Sequence, residues 1–138
     1  MSYFKEFSKD NIIVMSAPNG ARKMKQDHPH LPLTVKDLAD CAESLVDTGV
    51  SVLHLHVRDN TYRHTLDVNT YQSAIKAIKE RIGDNLILQI TTESVGLYTS
   101  QQQIDLVKTL KPEAVSLALQ EICPDKASEL NVSKFFIL

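Results

Sequence analysis

Four short apolar runs recur along this chain, and each is followed by a stretch whose apolar residues fall at helical spacing. That alternation constrains the fold more than any single motif. Ile12-Ile13-Val14-Met15 is the first run, and it stops at the turn signature Ala17-Pro18-Asn19-Gly20. Thr34 stands three residues before Asp37, close to a capping box. Leu38, Ala39, Ala42, Leu45 and Val46 then keep helical spacing up to Thr48, and Gly49 is the expected stop. Residues 50–57 form the second run. The helix after it is capped by Asp67, striped by Tyr71, Ala74, Ile75 and Ile78, and ended by Gly83. The third run, 86–91, leads to a helix opened by Thr99, with Ile104, Val107 and Leu110 inward and Pro112 as the breaker. Residues 114–119 are the fourth run, and 127–138 read as a last helix ending on Phe135-Phe136-Ile137-Leu138.

Strand–helix units in this order require parallel strands, because each helix returns the chain to the same end of the sheet. Two α/β architectures fit: a small doubly wound sheet, or the N-terminal half of a TIM (βα)8 barrel, whose full length is about 250 residues. A chain of 138 residues is read as one domain over 1–138, large enough to bury a core. A net charge of -2 and the lack of a basic stripe with interleaved aromatics argue against nucleic acid or a membrane surface as partner. Cys41 and Cys123 belong to no C-x-x-C motif, which suggests a reduced, cytoplasmic protein. Residues 1–7 lack the apolar segment of a signal peptide. No apolar run approaches the roughly 18 residues that span a membrane.

The polar residues cluster where such a fold places its chemistry. Alternate side chains of a strand share a face, so His54 and His56 point the same way, about 6–7 Å apart. That spacing suits chelation of a divalent metal, set against two hydrogen-bonded core histidines. Ser16, His54, His56, Thr91 and Ser116 all fall near the C-terminal ends of strands, where active sites sit in both architectures. Pro18-Asn19-Gly20-Ala21 is not G-x-G-x-x-G, so no dinucleotide site is expected. His28 and His30 lie on a proline-bracketed loop and are read as loop residues, and His64 as a solvated residue of the loop after the second strand. Arg58 and Asp59 are read either as an ion pair that orients an imidazole or as a surface salt bridge. Arg22 is an anion contact or a solvated loop arginine, and Glu93 a candidate substitute ligand or base.

Five segments in order resemble one family. They are Val14-Met15-Ser16-Ala17-Pro18-Asn19-Gly20-Ala21-Arg22, Asp27-His28-Pro29-His30-Leu31-Pro32, His54-Leu55-His56-Val57-Arg58-Asp59, Gln89-Ile90-Thr91-Thr92-Glu93-Ser94-Val95-Gly96 and Lys111-Pro112-Glu113-Ala114-Val115-Ser116-Leu117. Together they are similar to the β-keto acid cleavage enzymes. The resemblance implies a zinc-dependent TIM barrel that condenses a β-keto acid with acetyl-CoA and returns acetoacetate and a new acyl-CoA. It assigns Zn2+ to His54 and His56 and catalysis to Thr91, Ser116 and Arg58. Asn19, Arg22, Thr91, Glu93 and Ser116 are assigned to the substrate.

Three departures qualify what the resemblance implies. The family's third zinc ligand, a glutamate late in the barrel, lies outside these 138 residues together with a catalytic aspartate and an arginine, so this half alone is expected to be inactive and to hold zinc weakly. Arg22 stands where the 3-keto-5-aminohexanoate enzyme has an acid, which suits a neutral or anionic substrate better than an amine. Glu93-Ser94 replaces a Gly-Gly pair and changes the backbone freedom of that loop. A half barrel leaves sheet edges and one face uncovered, so pairing with a second copy or with a C-terminal half is expected.

Overall fold

The structure, a computed structural model, describes residues 12–137. The leader expectation at residues 1–7 and the terminal Leu138 lie outside the described residues. Along the chain come β1 (Met15–Ser16), α1 (Val35–Leu45), β2 (Val52–Leu55), α2 (Val68–Ile82), β3 (Ile87–Thr91), α3 (Ser100–Leu110), β4 (Ala114–Ser116), α4 (Leu119–Ile122) and α5 (Glu129–Phe136). The four strands form one parallel sheet in the order β1-β2-β3-β4. A doubly wound sheet reverses its strand order at a switch point. This one does not, and its sequential order is that of half a (βα)8 barrel.

Local signals set the helix ends. The Thr34 hydroxyl accepts from the Asp37 amide at 3.0 Å while the Asp37 carboxylate accepts from the Thr34 amide, and Thr99 with Gln102 repeats the reciprocal cap on α3. Asp67 caps α2 through the Thr70 amide at 2.7 Å. Gly49 takes a left-handed φ of 86°, a conformation that glycine adopts without strain, and so turns the chain from α1 towards β2.

Strand parity divides the sheet into two faces. Leu53, Leu55, Leu88 and Ile90 are buried against Leu38, Ala39 and Ala42 of α1, Tyr71, Ala74 and Ile78 of α2, and Leu106 of α3. The register pairs Val52 with Ile87, His54 with Gln89, Gln89 with Ala114 and Thr91 with Ser116, which puts these residues on the opposite face. No helix among the described residues covers Ile87 or Met15 there: they are 44% and 47% exposed.

The observed elements are shorter than the apolar runs. Pairing in the first begins at Met15, and Ile12 is 83% exposed, because an edge strand has a neighbour on one side alone. The fourth pairs over three residues, and Leu119 instead begins the short α4. On α3 the buried residues are Gln103, Ile104 and Leu106, while Val107 and Leu110 are half-buried. No helix among the described residues is long and apolar enough to cross a membrane.

Candidate active site

The two imidazoles of His54 and His56 meet at the C-terminal end of β2. Their Nε2 atoms are 3.1 Å apart and their ring centroids 5.0 Å. Gln89, the register partner of His54 on β3, places its Oε1 2.7 Å from His54 Nδ1. An amide oxygen can only accept, so Nδ1 carries the proton and Nε2 offers its lone pair towards His56. His56 is 4% exposed, and its Nδ1 is buried with no hydrogen-bond partner. Burial, together with His54, His64 and Arg58 nearby, pushes its pKa down to about 3. The ring is therefore neutral near pH 7, the protonation state a metal ligand needs.

Geometry and donor set fit a divalent cation. Two nitrogens at about 2.0–2.1 Å from one tetrahedral zinc lie about 3.4 Å apart, a few tenths from the separation seen here. A catalytic zinc usually takes three protein ligands. Among the described residues no group of three or more His, Cys, Asp or Glu side chains is arranged to hold a metal ion.

Thr91 and Ser116 end neighbouring strands as register partners on the face of the histidines. Thr91 is buried, and its hydroxyl accepts from the Glu93 amide at 3.1 Å. Its carbonyl is pinned from the helix side by the buried Tyr71 hydroxyl, which donates at 2.9 Å. The Glu93 carboxylate approaches His56 Nδ1 to 3.9 Å. These residues form one constellation.

The remaining expected site residues do other things. Arg58 is buried, and its guanidinium donates to the carbonyls of Tyr62 at 2.9 Å, Gly20 at 2.7 Å and Lys23 at 3.1 Å. It clasps the loop after β1 to the loop after β2 and makes no ion pair with Asp59. The Asp59 carboxylate instead accepts from the amides of Thr61 and Arg63. Asn19 is also buried, and its amide donates to the carbonyls of His56 at 2.9 Å and Pro32 at 3.0 Å, which fixes the backbone that carries the imidazole. Arg22 is exposed on the same loop, as are His28 and His30.

His64 corrects the sequence reading. It is 6% exposed, not solvated, with its ring 5.3 Å from that of His56. A bridge between Arg58 and His64 folds the loop back over the site. No local signal announces this, because it depends on the path of an irregular loop. Gln89 was also missed, although a polar residue amid Leu86-Ile87-Leu88 and Ile90, two before Thr91, carried a parity signal.

A parallel β/α-repeat sheet with paired imidazoles and hydroxyls at its strand C-termini defines the class of β/α proteins that carry their chemistry at that rim. Within that class the chain belongs to the β-keto acid cleavage enzyme family, which residues 11–135 match. It is 35% identical over 108 residues to a 3-keto-5-aminohexanoate cleavage enzyme of Acetoanaerobium sticklandii, and 33% identical over 108 residues to one of Fusobacterium nucleatum. Each match covers 78% of this chain and 39% of the relative. A 3,5-dioxohexanoate:acetyl-CoA acetone transferase of Paraburkholderia graminis is 28% identical over 111 residues, 80% of this chain and 35% of that protein. The matched region thus spans about two-fifths of the length of these relatives.

Proposed function

We propose that this chain is the N-terminal part of a zinc-dependent β-keto acid cleavage enzyme that uses acetyl-CoA. The observation that carries the reading is the convergence of His54 and His56 Nε2 at 3.1 Å, on the sheet face that also bears Thr91 and Ser116. His54 and His56 would hold zinc, with Gln89 fixing the His54 tautomer. Bound there, zinc supplies Lewis-acid polarisation of the β-keto oxygen. Thr91 and Ser116 orient the substrate carboxylate or carbonyl. In the net reaction the bond between the ketone carbon and its CH2 neighbour breaks. The acetyl group of acetyl-CoA joins that CH2 carbon to give acetoacetate, and the released acyl group ends on the CoA thiol. Arg22 favours a substrate with a neutral or anionic tail, and a relative named for 3,5-dioxohexanoate supports a neutral one. Free Cys41 and Cys123 suit the reducing cytoplasm.

The uncovered sheet face with Met15 and Ile87 supports association, with a second copy or with the other half of a barrel. Light scattering tests this, and a stable monomer would end the half-barrel reading.

Function is tested by metal analysis after dialysis and by acetoacetate release from β-keto acids with amino, neutral and carboxylate tails. The expected result is weakly held zinc that His54→Ala abolishes, and release in the presence of the remaining barrel that is fastest without an amine. Zinc retained by His54→Ala would overturn the metal assignment. Zinc binding without acetoacetate from any substrate would favour a non-catalytic metal- or partner-binding domain.

A further inference from the structure

His64 and Glu93 are titratable residues at this rim that the reaction above does not use, and their geometry joins them. The His64 Nε2–H donates to the Glu93 carbonyl at 2.8 Å. The ring lies between His56, with centroids 5.3 Å apart, and Tyr98, at 6.3 Å. The Glu93 amide is also tied, to the Thr91 hydroxyl at 3.1 Å. The Glu93 backbone is thus held on both sides, by the loop after β2 and by the end of β3. From that anchored backbone its carboxylate reaches to 3.9 Å from His56 Nδ1, roughly 1 Å beyond a hydrogen bond. His56 Nδ1 is itself buried and has no hydrogen-bond partner among the described residues.

The consequence lies in the tautomer. A carboxylate can only accept, so a Glu93 contact puts the His56 proton on Nδ1 and leaves Nε2 with a free lone pair. Gln89 does the same for His54. Both Nε2 atoms then present lone pairs to one point. With the proton on His56 Nε2 instead, that atom would donate to His54 Nε2 and close the pair to a cation. We propose that His64 is a positioning residue: by holding the Glu93 backbone it sets Glu93 beside His56 Nδ1 and selects the His56 tautomer that can bind metal. The assignment rests on the zinc reading above, and it gives Glu93 a role as orienting carboxylate, neither ligand nor base. Such partners of a ligating imidazole commonly change metal affinity 10–100-fold.

The test measures zinc dissociation constants against a competing chelator, for the unmodified protein and for Glu93→Ala, His64→Phe, His64→Gln and the Glu93→Ala/His64→Phe double variant. His64→Phe keeps the ring packing and loses the donor, while His64→Gln keeps an N–H near the position of Nε2. Glu93→Ala alters a side chain that is 36% exposed, so its fold is expected to survive if that of His64→Phe does not. Glu93→Ala and His64→Phe should each weaken zinc about tenfold or more, the double variant no more than the worse single, and His64→Gln should retain most of the affinity. Independent, multiplying losses, or a His64→Phe protein that binds as tightly as the original, would overturn the proposal. If no form binds zinc, the functional reading fails, and nitrogen-15 spectra of the histidine rings in metal-free protein still decide this one. The fraction of His56 protonated at Nδ1 should fall in Glu93→Ala and in His64→Phe, and an unchanged tautomer would overturn it.

Discussion

Replacing Arg58 with lysine separates two roles for this residue. The buried guanidinium donates to four loop carbonyls, three of them close, of Tyr62, Gly20 and Lys23, at 2.9, 2.7 and 3.1 Å, and that of Asn19 at 3.4 Å. A lysine ammonium is a single point donor and cannot span carbonyls that a planar fork reaches from different nitrogens. Hydrogen bonds from a charged donor contribute about 1.5–3 kcal/mol each. If lysine recovers one of the three, the loss is about 3 kcal/mol or more, a large fraction of the roughly 5–15 kcal/mol that holds a domain together. With a urea slope of about 2 kcal/mol per molar, the unfolding midpoint should fall by roughly 1.5 M. The assay is urea denaturation followed by circular dichroism, with Asp59→Asn as a neighbouring control expected to shift far less. A midpoint unchanged within about 0.3 M of urea, with acetoacetate formation lost, would refute the clasp and return Arg58 to catalysis.

Gln89→Leu removes the acceptor that orients His54 and should lower zinc affinity about 10–100-fold, read by the same chelator competition; unchanged affinity would show that Gln89 does not set the tautomer. The pH dependence of metal-free protein follows from the depressed pKa values of His56, at about 3, and His64, both lowered chiefly by burial. Between their ordinary value near 6.5 and the folded value, the unfolded chain binds protons that the folded one does not. Stability from these two rings is therefore complete above about pH 6.5 and lost progressively as pH falls below it, for His56 down to about pH 3. Urea midpoints at pH 7.5 and 5 should fall in that order, and equal midpoints would contradict the burial of both rings.

The sequence by itself determined what is local or periodic. Thr34 with Asp37, Asp67 and Thr99 announced the helix starts because a cap is made within three or four residues. Parity placed His54 and His56 on one face, and Thr91 and Ser116 at matching strand ends, because a strand alternates its side chains whatever it packs against. Tertiary structure decided what depends on loop paths and strand order. Sequential pairing from β1 to β4 ruled out a doubly wound sheet, which the same pattern of elements permits. The 38 residues separating Arg58 from Gly20 and the 29 separating His64 from Glu93 hide two contacts that shape the rim. Arg58 thereby became a clasp on loop carbonyls, and His64 a buried neighbour of His56. Periodicity has no access to such pairs, since an irregular loop has no repeat from which its direction could be read.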